Sequence, residues 1–327
     1  MATALIALAV PTVVVAGPLY WTSQQQIGGA TGPGPAAGGH GCTSALAWKG
    51  PTDQNIYYSG YDEPGQHVVP GAVTNDAPDI DCAVTDRAIV IGWRSAADGA
   101  IYVMERRYGQ PNSWTVPVRV SGPAGSKPSI AVDEPCMNCP SFRRMVVAWR
   151  GPGSDGTIYL NSSEGGLWRT PRSLGPWAST NEAPRITFGG SRGLAGVWKG
   201  ATNNQIYYST GSVDQPWDEP RPIGGGGGTS AAPSIDNNFV VWRGISPDQG
   251  LYYTQLNDAP TWNWDPQKRL CGAGGSSSAP DVNHVDRLEF PTGGWTGHRV
   301  VWKGVNDDPR MWESIGRSPK QAGDCTP

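Results

Sequence analysis

Four carboxylates lie in or beside short apolar stretches of the chain, at Asp79, Asp81, Asp236 and Asp281. Two carboxylates can supply the acid and the base, or the nucleophile, of glycoside hydrolysis. Several converging carboxylate oxygens can instead hold a hard cation. The four are placed irregularly relative to the Pro-x-aliphatic segments around them, so we expect solvated or turn-capping roles. The sequence therefore assigns no catalytic residue and no metal ligand.

Six cysteines offer a second kind of chemistry, and in a β protein they suggest an oxidising environment. The spacing of Cys136 and Cys139 fits half a zinc site, a redox pair or a local disulfide. No second Cys pair follows, and Pro140 stands where a redox pair starts a helix, so we favour the local disulfide. The remaining cysteines are further disulfide candidates, as the pairs Cys42–Cys82 and Cys271–Cys325. The histidines follow no metal-ligand spacing, and no cofactor is expected.

A repeated pattern accounts for most of the chain. Each of six copies has a Trp followed by Lys or Arg, a turn, and an aliphatic-tyrosine strand. The pairs are Trp48-Lys49, Trp93-Arg94, Trp149-Arg150, Trp198-Lys199, Trp242-Arg243 and Trp302-Lys303. Nine or ten residues after each Trp comes a Tyr, which Trp312 replaces in the last copy. By subtraction the Trp-to-Trp spacings run from 44 to 60 residues, and such a period predicts a propeller or a solenoid.

The fifth copy, residues 230–272, shows what one repeat builds. Its sequence predicts four short strands at 232–235, 239–242, 251–254 and 264–270, with a turn between each. The turn between the second and third strands is rich in Asn, Asp and Gly, which tolerate the backbone angles of tight hairpins. Four strands in this arrangement predict one propeller blade.

The sixth copy lacks a fourth strand after residues 311–314. Residues 21–27 have the pattern of the missing strand, because their Trp stands six residues before an aliphatic side chain as in four other copies. An N-terminal strand that completes the last blade closes the ring and removes exposed sheet edges. The sequence thus predicts an all-β, six-bladed β-propeller of four-stranded blades. It divides the chain into an apolar arm or leader (1–19), the propeller (20–316) and a C-terminal tail (317–327).

The segments AWKG, IYYS and S-x-AP-x-I make the repeat similar to the tandem propeller repeats of sialidase-like and lectin-like bacterial and fungal proteins. The resemblance covers about residues 20–316 and implies a secreted, glycan-binding protein. Sialidase catalysis would also require an arginine cluster, a Tyr nucleophile with a Glu partner and an Asp acid. Residues 154–157 match part of the sialidase Asp-box but lie in the wrong turn, and the arginines are scattered. We therefore expect no sialidase activity.

The aromatic side chains of the repeat are interpreted as packing between blades, because large aromatics dominate such burial. Three tryptophans lie outside the repeat frame and are the candidate ligand-binding residues: Trp177, Trp262 and Trp295. The Lys or Arg after each repeat Trp is expected to pair with acidic neighbours or to lie across a Tyr ring.

The formal net charge is −3 and the sequence pI is about 5.8, with no long basic run. Nucleic acid is therefore excluded as a partner, and a polybasic membrane contact is not expected. Residues 1–20 are almost wholly apolar, and the first basic residue is Lys49. Three interpretations stay open for this segment: a retained assembly arm, a signal-like leader, or a membrane anchor.

The sequence as a whole predicts a non-catalytic recognition module, lectin-like and binding a glycan or glycoprotein surface. It would act outside the cell or on the surface of an extracellular particle. The alternative is a structural or decorating subunit of an extracellular assembly or virion, docked on neighbouring subunits through the apolar arm. A glycosidase with its site on the propeller axis is a third interpretation.

Overall fold

The computed structural model describes residues 19–38, 45–60, 62–83, 88–107, 109–110, 113–133, 144–189, 193–224, 227–257, 263–285 and 297–317. The regular elements in these ranges are all β-strands. Within them no helix is long and apolar enough to cross a membrane. The apolar arm at 1–18 and the tail from 318 onward lie outside the described residues.

Twenty-six strands follow one another along the described chain. In order they are β1 (Tyr20–Trp21), β2 (Gln25–Ala30), β3 (Pro35–Ala37), β4 (Leu46–Lys49), β5 (Asn55–Gly60), β6 (Glu63–Val73), β7 (Asp79–Ala83), β8 (Ala88–Arg94), β9 (Ala100–Arg107), β10 (Val118–Pro123), β11 (Ser129–Asp133), β12 (Arg144–Arg150), β13 (Ile158–Glu164), β14 (Leu167–Trp168), β15 (Arg172–Ser173), β16 (Arg185–Phe188), β17 (Leu194–Lys199), β18 (Ile206–Gly211), β19 (Arg221–Pro222), β20 (Ser234–Asp236), β21 (Phe239–Arg243), β22 (Leu251–Gln255), β23 (Lys268–Arg269), β24 (Asp281–Val285), β25 (Gly297–Lys303) and β26 (Arg310–Arg317).

The strands form six antiparallel sheets arranged in a ring, which confirms the six-bladed β-propeller. From the innermost strand outward, blades one to six are β3–β6, β7–β10, β11–β15, β16–β19, β20–β23 and β24–β26 with β1 and β2. The outermost position of blade three is divided between β14 and β15, and that of blade six between β1 and β2. Each blade buries its apolar side chains against its neighbours, so the core lies between the sheets.

The last blade is completed from the other end of the chain, as the sequence predicts. Strand β26 pairs on one side with β25 and on the other with the N-terminal strands β1 and β2. In this register Trp21 lies opposite Gly316, and Gln26 lies opposite Trp312. The ring is therefore closed by backbone hydrogen bonds between the two ends of the propeller.

The repeated Trp side chains pack against the preceding blade, which confirms the packing interpretation, and they also stack on the repeated Tyr of their own hairpin. Trp93 and Tyr102 are register partners on neighbouring strands, and their rings stack with centroids 5.9 Å apart. The same stacking joins Trp48 to Tyr57, Trp149 to Tyr159 and Trp242 to Tyr252. The Trp side chains of this set are buried. The spacing of nine or ten residues in the sequence is thus the length of one hairpin.

An Asp in the hairpin holds the Tyr hydroxyl and the turn together. In blade five, Asp248 accepts a hydrogen bond from the backbone N–H of Gly250 (2.7 Å) and one from the Tyr252 hydroxyl (2.8 Å). Gly244 approaches the Asp248 carboxylate so closely that a Cβ there would collide with it. The two hydrogen bonds recur at Asp53, Asp98 and Asp155. This contact explains why Gly follows the repeated Trp-Lys or Trp-Arg pair at Gly50, Gly151 and Gly244, whereas blade two has Ser95 at this position.

The repeated cation also serves the scaffold. Arg94 donates from Nε to the carbonyl oxygen of Ala124 in the segment that leads into blade three (2.7 Å). In blade six, Lys303 pairs with Asp307 (3.1 Å). The Arg94 contact joins blade two to the segment before blade three. The Lys303 contact stabilises the turn of its own blade.

Candidate functional site

The innermost strands face the propeller axis and have no further strand to pair with. Their free N–H groups are instead bound by side chains of a neighbouring blade, since buried backbone donors need partners. Asp79 accepts from Ile130 N–H (2.6 Å) and Asp81 accepts from Val132 N–H (2.7 Å). Further bonds of this kind join Ile186 N–H to Ser129 Oγ (3.0 Å) and Ala37 N–H to Asp281 Oδ2 (2.9 Å).

An ion-pair cluster crosses the axis. Arg185 of blade four pairs with Asp79 of blade two and with Asp281 of blade six, the latter at 3.2 Å. All three side chains are buried. Burial by itself lowers the pKa of Arg185, but the carboxylates of Asp281 and Asp79 outweigh it and raise the pKa above its ordinary value. The cluster closes the axis and ties three blades together.

The four axial carboxylates are therefore buried, not solvated, and Asp79, Asp81 and Asp281 bind neighbouring strands instead of capping turns, contrary to our expectation from the sequence. Asp79, Asp81, Asp236 and Asp281 are at most 9% exposed. Burial raises the pKa of Asp81 to about 8, although the N–H groups of Val132 and Cys82 counteract it. These carboxylates are buried because they lie on the innermost strands, which converge at the propeller axis. Their irregular spacing in the sequence gives no sign of this convergence.

Above the ion-pair cluster the axis opens into a pocket of about 300 Å³. Its walls come from the loops that immediately precede the innermost strands of all six blades. Four charged side chains line it: Asp76, Lys127, Glu182 and Arg243. Burial raises the pKa of Glu182; the charges of Lys199 and Arg150 oppose this shift, and the charge of Asp76 adds a smaller rise. We call this space the axial pocket.

A larger, open cleft of about 1030 Å³ lies between blades four and five. One wall is aromatic, since the rings of Tyr208 and Trp264 meet edge to face with centroids 5.1 Å apart. The rim carries the exposed side chains of Glu219, Arg221 and Asn263. Among the described residues these three side chains make no hydrogen bond or ion pair. We call this space the blade 4–5 cleft.

The corresponding position between blades one and two is filled by the protein itself. Tyr58 and Trp114 form the same edge-to-face contact there, with centroids 5.1 Å apart. The buried Arg106 lies over Tyr58 and pairs with Asp62 (2.8 Å) and Glu63 (2.7 Å).

Blade five has Leu256 where blade two has Arg106, each four residues after the repeated Tyr. Leu256 is buried and lines the cleft. Replacement of the guanidinium by a shorter apolar side chain leaves the blade 4–5 cleft open, with its polar rim facing solvent.

The predicted ligand-binding tryptophans are not brought together by the described structure. Trp177 is exposed (42%) and lines neither the axial pocket nor the blade 4–5 cleft. Trp262 and Trp295 lie outside the described residues. Trp264 fits the repeat frame, so the sequence predicts a packing role for it like that of the other repeat aromatics. The sequence difference between the two positions is Leu256 in place of Arg106, and its meaning becomes clear only when the structure shows that Arg106 fills the space beside Trp114.

Two of the six cysteines lie in the described residues. Cys82 is buried on the innermost strand β7, Cys271 follows the outermost strand β23, and neither is a free thiol. The cysteines with which they could pair all lie outside the described residues: Cys42, Cys136, Cys139 and Cys325.

Comparison with known proteins supports the fold and no more. No protein-family model and no curated protein matches the sequence. One similar solved structure is a subtype N10 neuraminidase-like protein of A/little yellow-shouldered bat/Guatemala/060/2010, with 8% identity, a TM-score of 0.52, and coverage of 92% of this chain and 99% of that one. Another is a protein of unknown function from Dyadobacter fermentans DSM 18053, with 16% identity, a TM-score of 0.59, and coverage of 90% and 97%. At these identities the likeness shows a shared propeller fold.

Proposed function

We propose that this protein is a recognition module that binds glycans in the blade 4–5 cleft. The observation that carries the proposal is the open cleft itself, with an aromatic wall at Trp264 and a rim of unengaged polar side chains. Ligand sites combine apolar surface with a few placed polar groups. A pyranose ring has one apolar C–H face and a hydroxyl-rich edge, and the wall and rim suit these two parts.

Each rim residue has a defined part in this proposal. Glu219 accepts hydrogen bonds from sugar hydroxyls, Arg221 donates them, and the Asn263 amide does both. The aromatic wall supplies contact area at low cost in side-chain entropy because its rings are already packed against each other. Asp218 also lines the cleft, but its carboxylate accepts a hydrogen bond from the Thr210 hydroxyl (2.7 Å), so we propose binding rather than turnover in this cleft.

The proposed location of action is outside the cell or on the surface of an extracellular particle. Its support is the number of cysteines, together with the finding that neither Cys82 nor Cys271 is a free thiol. The alternative of a decorating subunit docked through the apolar arm stays a prediction. It is tested by deleting residues 1–18 and measuring particle incorporation and glycan binding separately.

A glycan array, followed by calorimetry with any ligand found, tests the proposal. We expect Trp264→Ala to weaken binding at least ~10-fold and Glu219→Gln or Arg221→Ala to weaken it several-fold, since each lost contact removes about 1 kcal/mol or more. Trp177→Ala is the matched control, an exposed Trp outside the cleft, and should bind as the unmodified protein does. An array with no signal above background, or binding that Trp177→Ala abolishes and Trp264→Ala spares, contradicts the proposal.

The axial pocket supports a second candidate function, glycoside hydrolysis. Two carboxylates line this pocket, and the raised pKa of Glu182 is the property of a general acid. Asp76 would then be the base or nucleophile. Turnover of chromogenic glycosides that Glu182→Gln abolishes would establish this activity. Absence of turnover across a panel of such substrates would leave glycan binding as the function.

A further inference from the structure

Two histidines and a carboxylate meet between blades five and six, away from both spaces described above. His284 and His298 are register partners on strands β24 and β25, and Asp236 ends the innermost strand of blade five. One ligand atom from each residue lies within 4.8 Å of the other two. The group lies toward the end of the axis where the innermost strands finish, whereas the axial pocket lies where they begin.

His298 provides the second observation. Its side chain is more than nine-tenths buried, and its Nδ1 atom has no hydrogen-bond partner among the described residues. The ring is held in place by stacking on Phe239, with centroids 4.2 Å apart and an interplanar angle of 14°. A buried imidazole nitrogen without a partner costs free energy, unless a ligand supplies the missing contact.

We propose that Asp236, His284 and His298 form a binding site for one divalent transition-metal ion, with Zn²⁺ as the representative. Two imidazoles and one carboxylate are a ligand set that such ions take, with water in the remaining position. An ion at the centre of an equilateral triangle with 4.8 Å sides lies 4.8/√3, or about 2.8 Å, from each corner. Each ligand atom therefore has to move by less than about 1 Å to reach the usual Zn–N distance of about 2.0–2.1 Å.

The three ligands come from neighbouring strands of two blades, since Asp236 lies on β20 of blade five and His284 and His298 lie on β24 and β25 of blade six. Because its ligands come from two blades, a bound ion joins blade five to blade six. We therefore expect metal binding to raise the thermal stability of the folded protein.

The test is zinc binding by the full-length protein after chelator treatment and dialysis. We expect calorimetry and elemental analysis to give one equivalent of Zn²⁺, Co²⁺ to bind with a visible absorption band, and Zn²⁺ to raise Tm. His284→Ala and Asp236→Asn should each weaken binding at least ~100-fold, since even an outer-shell partner contributes 10–100-fold. His298→Ala should weaken zinc binding to the same extent if it folds. If it does not fold, the zinc affinities of His284→Ala and Asp236→Asn test the proposal.

His67→Ala is the matched control, because His67 lies 3.4 Å from Glu63 on blade one and forms a second histidine–carboxylate contact. This variant should keep one equivalent of Zn²⁺ and the full rise in Tm. The proposal is overturned if the unmodified protein binds no Zn²⁺ or Co²⁺. It is also overturned if His284→Ala and Asp236→Asn bind as well as the unmodified protein does.

Discussion

The indole of Trp21 lies directly against Gly316, its register partner at the other end of the propeller. A Cβ built on Gly316 would stand 2.8–3.0 Å from three atoms of that indole. Trp21 is fully buried, and its ring also contacts Tyr253 of blade five edge to face at 5.3 Å. The strand that closes the ring is thus held by backbone pairing and by one large aromatic side chain.

Trp21→Ala is expected to destabilise the propeller by about 3–5 kcal/mol, because it leaves a large cavity where the ring closes. Chemical denaturation followed by fluorescence measures the loss. The exposed Trp177 serves as the control, and Trp177→Ala should change the free energy of unfolding by no more than ~0.5 kcal/mol. If Trp21→Ala lowers the free energy of unfolding no more than Trp177→Ala does, the side chain of Trp21 does not stabilise the closed ring.

Gly316→Ala is expected to destabilise by about 1–3 kcal/mol, because the added methyl group collides with the indole of Trp21. Combined with Trp21→Phe, the same substitution should cost less than it does alone, since the smaller ring leaves room. A double-mutant cycle measures this coupling. Strictly additive free energies would contradict the contact.

Arg185→Met is expected to cost about 3–5 kcal/mol at pH 7, because it leaves the buried carboxylates of Asp79 and Asp281 without their cation. The loss should be smaller at low pH, because burial raises the pKa of the Asp79 carboxylate and favours its uptake of a proton. Adding Asp79→Asn and Asp281→Asn should recover part of the stability at pH 7. A loss that does not vary with pH, and is not rescued, would argue against an electrostatic role.

Asp81→Asn tests the direction of one pKa shift. The pKa of Asp81 is raised from 3.8 to about 8 in the folded protein. Between these values the folded chain therefore holds a proton that the unfolded chain has lost, so stability falls as pH rises through this window. The variant does not titrate at this position, so its deficit in unfolding free energy should be largest near pH 4, at the low end of this window, and shrink toward pH 8. A deficit that grows with pH would show that Asp81 is ionised in the folded protein.

The blade architecture could be predicted because it depends on contacts between residues that are close together in the sequence. Trp93 and Tyr102 stand nine residues apart, one hairpin brings their rings into stacking contact, and the Asp in the turn binds the Tyr hydroxyl. Six copies of this unit, with a fourth-strand pattern at Trp21, determine both the number of blades and how the ring closes.

The sites could not be predicted in the same way. Asp79, Arg185 and Asp281 come from three different blades and meet only because the ring closes. His284 and His298 stand fourteen residues apart by subtraction, and cross-strand register, not spacing, makes them neighbours.

The repeat, the blade count and the closing strand follow from the amino-acid sequence alone, since each depends on interactions within a hairpin or between repeated strands. The folded ring was needed to show that the axial carboxylates are buried, that Arg106 fills one cleft while Leu256 leaves another open, and that Asp236 joins two histidines. Burial, ion pairing and ligand geometry depend on which blades face each other across the axis and the inter-blade clefts, and local sequence does not specify those neighbours.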